Sequence, residues 1–210
     1  AGDPANVNPC ESDRPQCDNQ YNDSVFYDDN VQQLLPYTIG AIVWDQAERD
    51  VKCPVSTAAY PCMQAYLVDS WRAAFRSPSA PFVAVQLPGY TGALNNGTGT
   101  YPGGITAGMV FAMRLAQGAG AAATANASIV ATYDLSCPTS PYGSVHNVEK
   151  GPIGSRIAAQ LFKALGDAPH LVVDGPRAVG AQVVGARRRA AATAAASSSS
   201  FEIAVTFAGG

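Results

Sequence analysis

Apolar positions along this chain follow two rhythms, and their alternation predicts the fold. Residues 1–24 carry neither rhythm; they are rich in Asn, Asp, Pro and Cys, which predicts an extended or disulfide-pinned surface segment. A short helix over 26–35 should feed a buried strand over 38–44. Polar, Pro-containing sequence between Cys53 and Cys62 reads as a loop. Met63, Tyr66, Leu67, Trp71 and Phe75 then recur at helical spacing, predicting a helix over 60–75. A strand over 82–87, a long Gly/Asn/Thr loop over 88–103, a helix over 105–117, a strand over 128–134 and a helix over 150–165 continue the alternation. Strands alternating with helices predict an α/β fold, a parallel sheet with helices on both faces. Ligands of such sheets sit beyond the carboxyl ends of the strands, where Gln46 and His146 both fall.

After Gly166 the pattern changes to short apolar runs at 171–173, 178–184 and 201–207, separated by Arg187-Arg188-Arg189 and an Ala/Ser-rich stretch. This predicts the start of a β-rich appendage, with the basic triplet as a solvated turn. The expected organisation is an N-terminal extension over 1–24, an α/β domain over 25–170 and a β-rich segment over 171–210.

Composition narrows the function. The 210 residues suffice for one substantial core, and 47% hydrophobic with 14% charged residues is ordinary for a globular domain. A net charge of −3 argues against nucleic acid as a partner. The apolar runs fall short of the roughly 20 residues that cross a bilayer, so no membrane span is expected. Cys10, Cys17, Cys53, Cys62 and Cys137 are spaced too irregularly for a zinc cage, and two histidines add few ligands, so neither metal nor cofactor is expected. Disulfides are the better reading: Cys10 with Cys17 and Cys53 with Cys62 would close short loops, leaving Cys137 to pair with another segment. Asn22, Asn96 and Asn126 head N-x-Ser/Thr sequons in polar or small-residue stretches. Together with the cysteines they predict a secretory-pathway glycoprotein, whether secreted, cell-surface or lysosomal.

The segment with the most chemistry surrounds His146. A β-branched run from 127 to 133 leads into Asp134-Leu135-Ser136-Cys137-Pro138-Thr139-Ser140-Pro141-Tyr142-Gly143-Ser144-Val145-His146 and then a helix, which offers the imidazole as a general base. The plainer reading is a histidine at a helix start. His170 reads as a surface or strand-edge histidine, the Asp28-Asp29 pair as favouring a helix dipole, and Gly103-Gly104 lacks the strand context of a phosphate cradle.

Residues 140–146, with Lys150, Gly154 and Arg156 behind them, resemble the sialate O-acetylesterase family, animal-type members above all, whose loop runs Ser-Pro-Phe-Gly-Ser-Ile-His-Pro before a Lys and a Gly-x-Arg helix. The run from Leu34 through Trp44-Asp45-Gln46-Ala47-Glu48-Arg49-Asp50 is similar to the family's strand and Trp-Tyr-Gln-Gly-Glu-Ser-Asn loop. Asp69-Ser70-Trp71-Arg72 resembles its Asp-Trp-Arg helix, and Arg114-Leu115-Ala116-Gln117 its Arg-x-Ala-Gln helix. The matched blocks span residues 25 to 176 in the family's order.

The resemblance implies a three-layer α/β/α fold with a flavodoxin-like, SGNH-type sheet and serine-based hydrolysis of acetyl esters on a sugar, sialic acid in particular. It implies His146 as the base and Gln46 as a donor to the developing oxyanion, with Glu48, Asp134 and Ser144 lining or bracing the pocket. No metal or cofactor is implied. The family's nucleophile stands in a Gly-Gln-Ser-Asn motif upstream, and no serine in residues 1–43 has that context. The chain, which starts with Ala1, therefore reads as an internal piece whose partner is an upstream segment, or a second chain, carrying the nucleophile. Position 143, where many related esterases place an Asp, is Gly. Ala47, Arg49 and Asp50 replace the expected Gly, Ser and Asn, and a Cβ at 47 penalises positive φ. These departures motivate the alternative of a catalytically degenerate, structural or carbohydrate-binding glycoprotein on the same fold.

Overall fold

A computed structural model of the chain describes residues 25, 27–35, 37–89, 100–101, 104–137, 140, 146, 148–175, 177–188 and 199–208. The chain divides after Pro169 into two compact units. The first is built on three parallel strands: β1 (Ile42–Asp45), β2 (Phe82–Val85) and β5 (Ala127–Val130), in the order β1-β2-β5. Val43 lies beside Val83, and Val83 beside Ser128. Each strand is four residues long, shorter than its apolar run, because the flanking residues bend away into loops. A small antiparallel pair, β3 (Thr100–Tyr101) and β4 (Ile105–Thr106), precedes the second helix.

Side chains alternate across a pleated strand, so each face of the sheet acquires its own apolar cluster. Ile42 and Trp44 of β1 join Phe82 and Ala84 under Val68, Leu67 and Trp71 of α1 (Pro54–Ala74). Val83, Val85 and Val130 face the other way, under Ile153, Ile157 and Leu161 of α3 (Lys150–Leu165). A third cluster packs Tyr60 of α1 against Val110, Met113 and Ala116 of α2 (Ala107–Ala123), together with Ala47, Val51 and Leu87 from the loops. The result is the expected α/β architecture with helices on both sides of a parallel sheet.

Where helix and loop were separated by sequence alone, the boundaries move. α1 begins at Pro54, whose missing N–H is harmless in a first turn, so the stretch read as a Cys53–Cys62 loop is helical. This corrects the disulfide expectation. Cys53 caps the helix and Cys62 lies nine residues further on, an axial rise of about 13 Å, whereas a disulfide needs Cα atoms within about 7 Å. Both cysteines are disulfide-bonded, but not to each other. Cys10 and Cys17 lie outside the described residues, and Cys137 is a half-buried thiol rather than a disulfide half. The helix read over 26–35 is a π turn (Tyr27–Val31) followed by a 3-10 turn (Gln32–Leu34). α2 runs from its Thr106 cap, whose side chain accepts from the Met109 N–H at 3.2 Å, to Ala123. α3 has the predicted bounds and stops at Gly166, whose φ of 87° is the left-handed conformation glycine accepts freely.

The second unit holds β6 (Arg177–Arg188) and β7 (Ser199–Ala208), an antiparallel pair with register shifts near Gly180 and Gly185. Arg187 and Arg188 are not in a turn: they end β6, paired with Ser200 and Ser199, and Arg189 is outside the described residues.

Two side chains expose how tightly α1 and α2 approach. A Cβ on Gly120 would stand 2.9 Å from the Gln64 amide nitrogen and 3.2 Å from the Pro61 Cα, so only glycine fits the crossing. Gln64 is 4% exposed, and both amide atoms are buried without a hydrogen-bond partner. An unsatisfied buried amide costs free energy that a thioether of similar volume does not. Gln64→Met is therefore expected to stabilise the protein by about 1–2 kcal/mol, read as a higher denaturant midpoint. Gly120→Leu is expected to destabilise it by about 2 kcal/mol or more through overpacking, and an unchanged midpoint in that variant would show that the helices do not meet there.

Candidate functional site

The loops that leave the carboxyl ends of β1, β2 and β5 meet at one edge of the sheet, and polar side chains from the helices tie them together. Gln117 on α2 is 1% exposed; its Nε2 donates to the Gln46 and Val85 carbonyls, each at 3.1 Å, and its Oε1 accepts from the Leu87 N–H at 2.8 Å. Arg114, one turn earlier, donates to the Leu87 and Pro88 carbonyls at 2.8 and 2.7 Å, with its guanidinium over the Tyr133 ring. The Thr132 hydroxyl donates to the Gln86 carbonyl. The β1, β2 and β5 exits are thus cross-linked by hydrogen bonds.

Gln46 sits at the centre of this edge. Its Nε2 donates to the Asp50 carboxylate at 2.5 Å, and its Oε1 accepts from the Tyr60 hydroxyl at 3.1 Å. Burial, reinforced by the Asp50 and Glu48 charges, pushes the Tyr60 phenol up to about 12, so it stays a donor. Between Gln46 and Glu48, the fully buried Ala47 adopts a φ of 143°. The conformation the sequence made costly is adopted nonetheless, and strain of about 1–3 kcal/mol is offset by burial of the methyl and by the Val51 N–H bonded to the Ala47 carbonyl at 3.0 Å.

Glu48 is half-buried. Burial first, and the Asp45 charge as well, raise its carboxyl above the usual range, while its own backbone N–H and the charges of His146 and Lys150 pull the other way. Lys150, at the start of α3, reaches Asp45 at the end of β1 with 3.5 Å between Nζ and Oδ2. This ion pair brings the segment that carries His146 to the loop that carries Gln46 and Glu48. His146 itself is exposed, and its carbonyl accepts from the Ser140 hydroxyl at 2.7 Å.

Asp134 is held elsewhere. Arg156 of α3 grips both its oxygens, at 2.7 and 2.6 Å, and also donates to the Ala131 carbonyl at 2.5 Å. Hydrogen bonding to this guanidinium holds the Asp134 carboxyl below the usual range. Ser144 lies outside the described residues, as do Asn22 and Asn96. Asn126 is exposed at a φ of 51°, and its amide nitrogen donates to the Ser79 carbonyl at 2.8 Å. Pattern reading did not assign roles to Tyr60, Asp50 or Arg156 in this edge; a buried tyrosine in an apolar helix face gives no signal of the amide it serves.

Beside β1 a cavity of about 500 Å³ is lined by Gln46, Trp44, Trp71, Tyr60, Tyr66 and Tyr27, among others. Its size and mixed aromatic and amide lining are those of small-molecule pockets. Trp44 and Trp71 meet edge to face, with centroids 5.8 Å apart.

This chain is similar to the crystal structure of a carbohydrate acetylesterase from Xanthomonas citri, with a TM-score of 0.55 and 22% identity over 72% of this chain and 32% of that one. The two share a fold. The chain spans about a third of the neighbour's length. No family model matches the chain, and no curated protein does. Among the described residues no group of three or more His, Cys, Asp or Glu could hold a metal ion, and no helix is long and apolar enough to cross a membrane.

The raised Glu48 carboxyl has a consequence for stability. Below the ordinary glutamate range both folded and unfolded states hold the proton, and Glu48 contributes nothing. As pH rises through that range the unfolded chain releases its proton first, so stability is withdrawn until the folded carboxyl ionises too. Glu48→Gln should therefore gain stability over the parent as pH rises through and above the ordinary glutamate range. Thermal unfolding across pH 4 to 8 checks this, and a constant difference would refute it.

Proposed function

We propose that this chain is the histidine-bearing part of a carbohydrate O-acetylesterase, with O-acetylated sialic acid as the substrate that the sequence resemblance favours. The single observation that carries the reading is the meeting of the Gln46–Asp50 loop with the His146–Lys150 segment, through the Asp45–Lys150 ion pair, at the carboxyl edge of a parallel sheet. Shared fold with a carbohydrate acetylesterase supports it. In this reading His146 takes the proton of a serine supplied by an upstream segment or a second chain, and Gln46 steadies the oxyanion through the amide hydrogen that Asp50 leaves available.

The partner polypeptide would pair with β1. Val43 is 45% exposed, whereas its neighbour Val83 is fully buried, and parallel strands normally have both faces covered. The secretory glycoprotein reading, with sugars on the Asn sequons, belongs to the same proposal and rests on the cysteines and sequons. Serine ester hydrolysis requires neither metal nor cofactor.

The test joins the chain to its upstream segment and follows acetate release from an acetylated sialoside. His146→Ala is expected to reduce kcat by at least about a hundredfold with little change in KM. Hydrolysis untouched by that substitution would remove the base from the mechanism, and no hydrolysis by the parent would favour the alternative of a carbohydrate-binding or structural role, which the strained Ala47 and the glycine at position 143 also suit.

A further inference from the structure

The chain has five cysteines. Cys53 and Cys62 are each half of a disulfide, and Cys137 is a thiol. Cys53 caps α1 and Cys62 stands nine residues further on, an axial rise of about 13 Å, roughly twice the Cα separation that a disulfide tolerates. Each therefore bonds a different cysteine. The two that remain in the chain are Cys10 and Cys17.

One stretch of chain is long enough to make both bonds at once. The seven residues from Cys10 to Cys17 can reach about 23 Å, more than the rise between the two anchor points on α1. Glu11-Ser12-Asp13-Arg14-Pro15-Gln16, which lie between them, carry no large apolar side chain, so hydrophobic burial offers little to hold them to a helix and a covalent tie supplies what burial cannot. The anchor points differ. Cys53 is 3% exposed; its N–H donates to the Asp50 carbonyl at 2.9 Å and its carbonyl accepts from the Thr57 N–H at 3.0 Å, so it joins the Asp50–Lys52 turn to the start of α1. The Asp50 carboxylate in turn accepts from the Gln46 amide at 2.5 Å. Cys62 is exposed.

We infer that Cys53 and Cys62 are bonded to Cys10 and Cys17, so that two disulfides staple the N-terminal segment to α1 and make the loop that carries Gln46 sensitive to redox state. The inference stands apart from the esterase reading. Each bond forms when two thiols pass two electrons and two protons to a disulfide oxidant of an oxidising compartment, which leaves as two thiols. Two bonds that each close a long loop replace the short loops that cysteine spacing favours, and a long closed loop restrains the unfolded chain more than a short one.

The experiment maps the chain itself, produced in a bacterial periplasm, which is oxidising, then alkylated without reduction and digested with trypsin. Trypsin cuts after Arg49, Lys52 and Arg72 but not between Arg14 and Pro15, so Cys10 and Cys17 stay on peptide 1–49 and Cys53 and Cys62 on peptide 53–72. From the species that runs as a monomer on a non-reducing gel, the two peptides should travel as one, lighter than their sum by four hydrogens, with the alkyl label on Cys137 alone. Two separate peptides, each bridged internally, would overturn the connectivity, as would label on Cys53 or Cys62. A reductant titration should open the exposed Cys62 bond before the buried Cys53 bond. Once the Cys53 bond opens, cleavage after Lys52 in the native chain should quicken about tenfold or more, with cleavage after Lys163 of α3 unchanged. A Lys52 rate untouched by that step, or an equal rise at Lys163, would overturn the redox-sensitive hold on the Gln46 loop.

Discussion

Everything at the working edge of this protein depends on one buried amide. Gln117 has no access to water, so each of its hydrogen-bonding atoms must find a partner inside the protein, and the partners it finds are the backbones of β1's exit and β2's exit. Those contacts convert two loops that could wander into a rigid shelf. Arg114 and Thr132 extend the shelf to β5, and Arg156 secures the turn beyond it. A polar network of this kind is fully satisfied, which is what lets it specify a unique geometry rather than merely cost desolvation.

The shelf also explains how an unfavourable backbone persists. Ala47 holds a φ that glycine would adopt at little cost, and the loop keeps it because Gln46 is fixed by Gln117, Tyr60 and Asp50 on one side while Val51 closes a turn onto Ala47 on the other. Strain next to candidate functional groups is a common arrangement, since a loop that is over-determined does not relax when substrate or solvent exchanges. The same principle separates the two interhelical oddities. The close approach at Gly120 is a packing solution, whereas the unpartnered Gln64 amide lying against it is a cost that the molecule carries.

Much of the α/β fold was legible because burial writes itself into periodicity. Phe82 to Val85, buried on both faces, reads as a continuous apolar run, and the α3 bounds follow from an amphipathic pattern closed by Gly166. Sequence reading failed where local composition and tertiary packing disagree. Pro54, Pro61 and two cysteines looked like a loop, yet they lie in or cap a 21-residue helix, because Pro54 occupies a first-turn position and packing against α2 compensates for Pro61. With the helix formed, Cys53 and Cys62 are held apart by its length, a fact invisible to residue spacing alone.

The sequence by itself determined the alternation of the main-sheet strands with the helices, the location of Gln46 at the end of β1, and the cost of a Cβ at position 47, because each depends on neighbouring residues only. The tertiary structure decided the rest. Whether Asp134 turns to a histidine or to Arg156, whether Lys150 reaches Asp45, and which atoms satisfy Gln117 are all contacts between residues 22 to 105 positions apart. Such contacts are selected by competition among many partners in three dimensions, where desolvation and hydrogen-bond geometry outweigh any preference that a local stretch of chain can express.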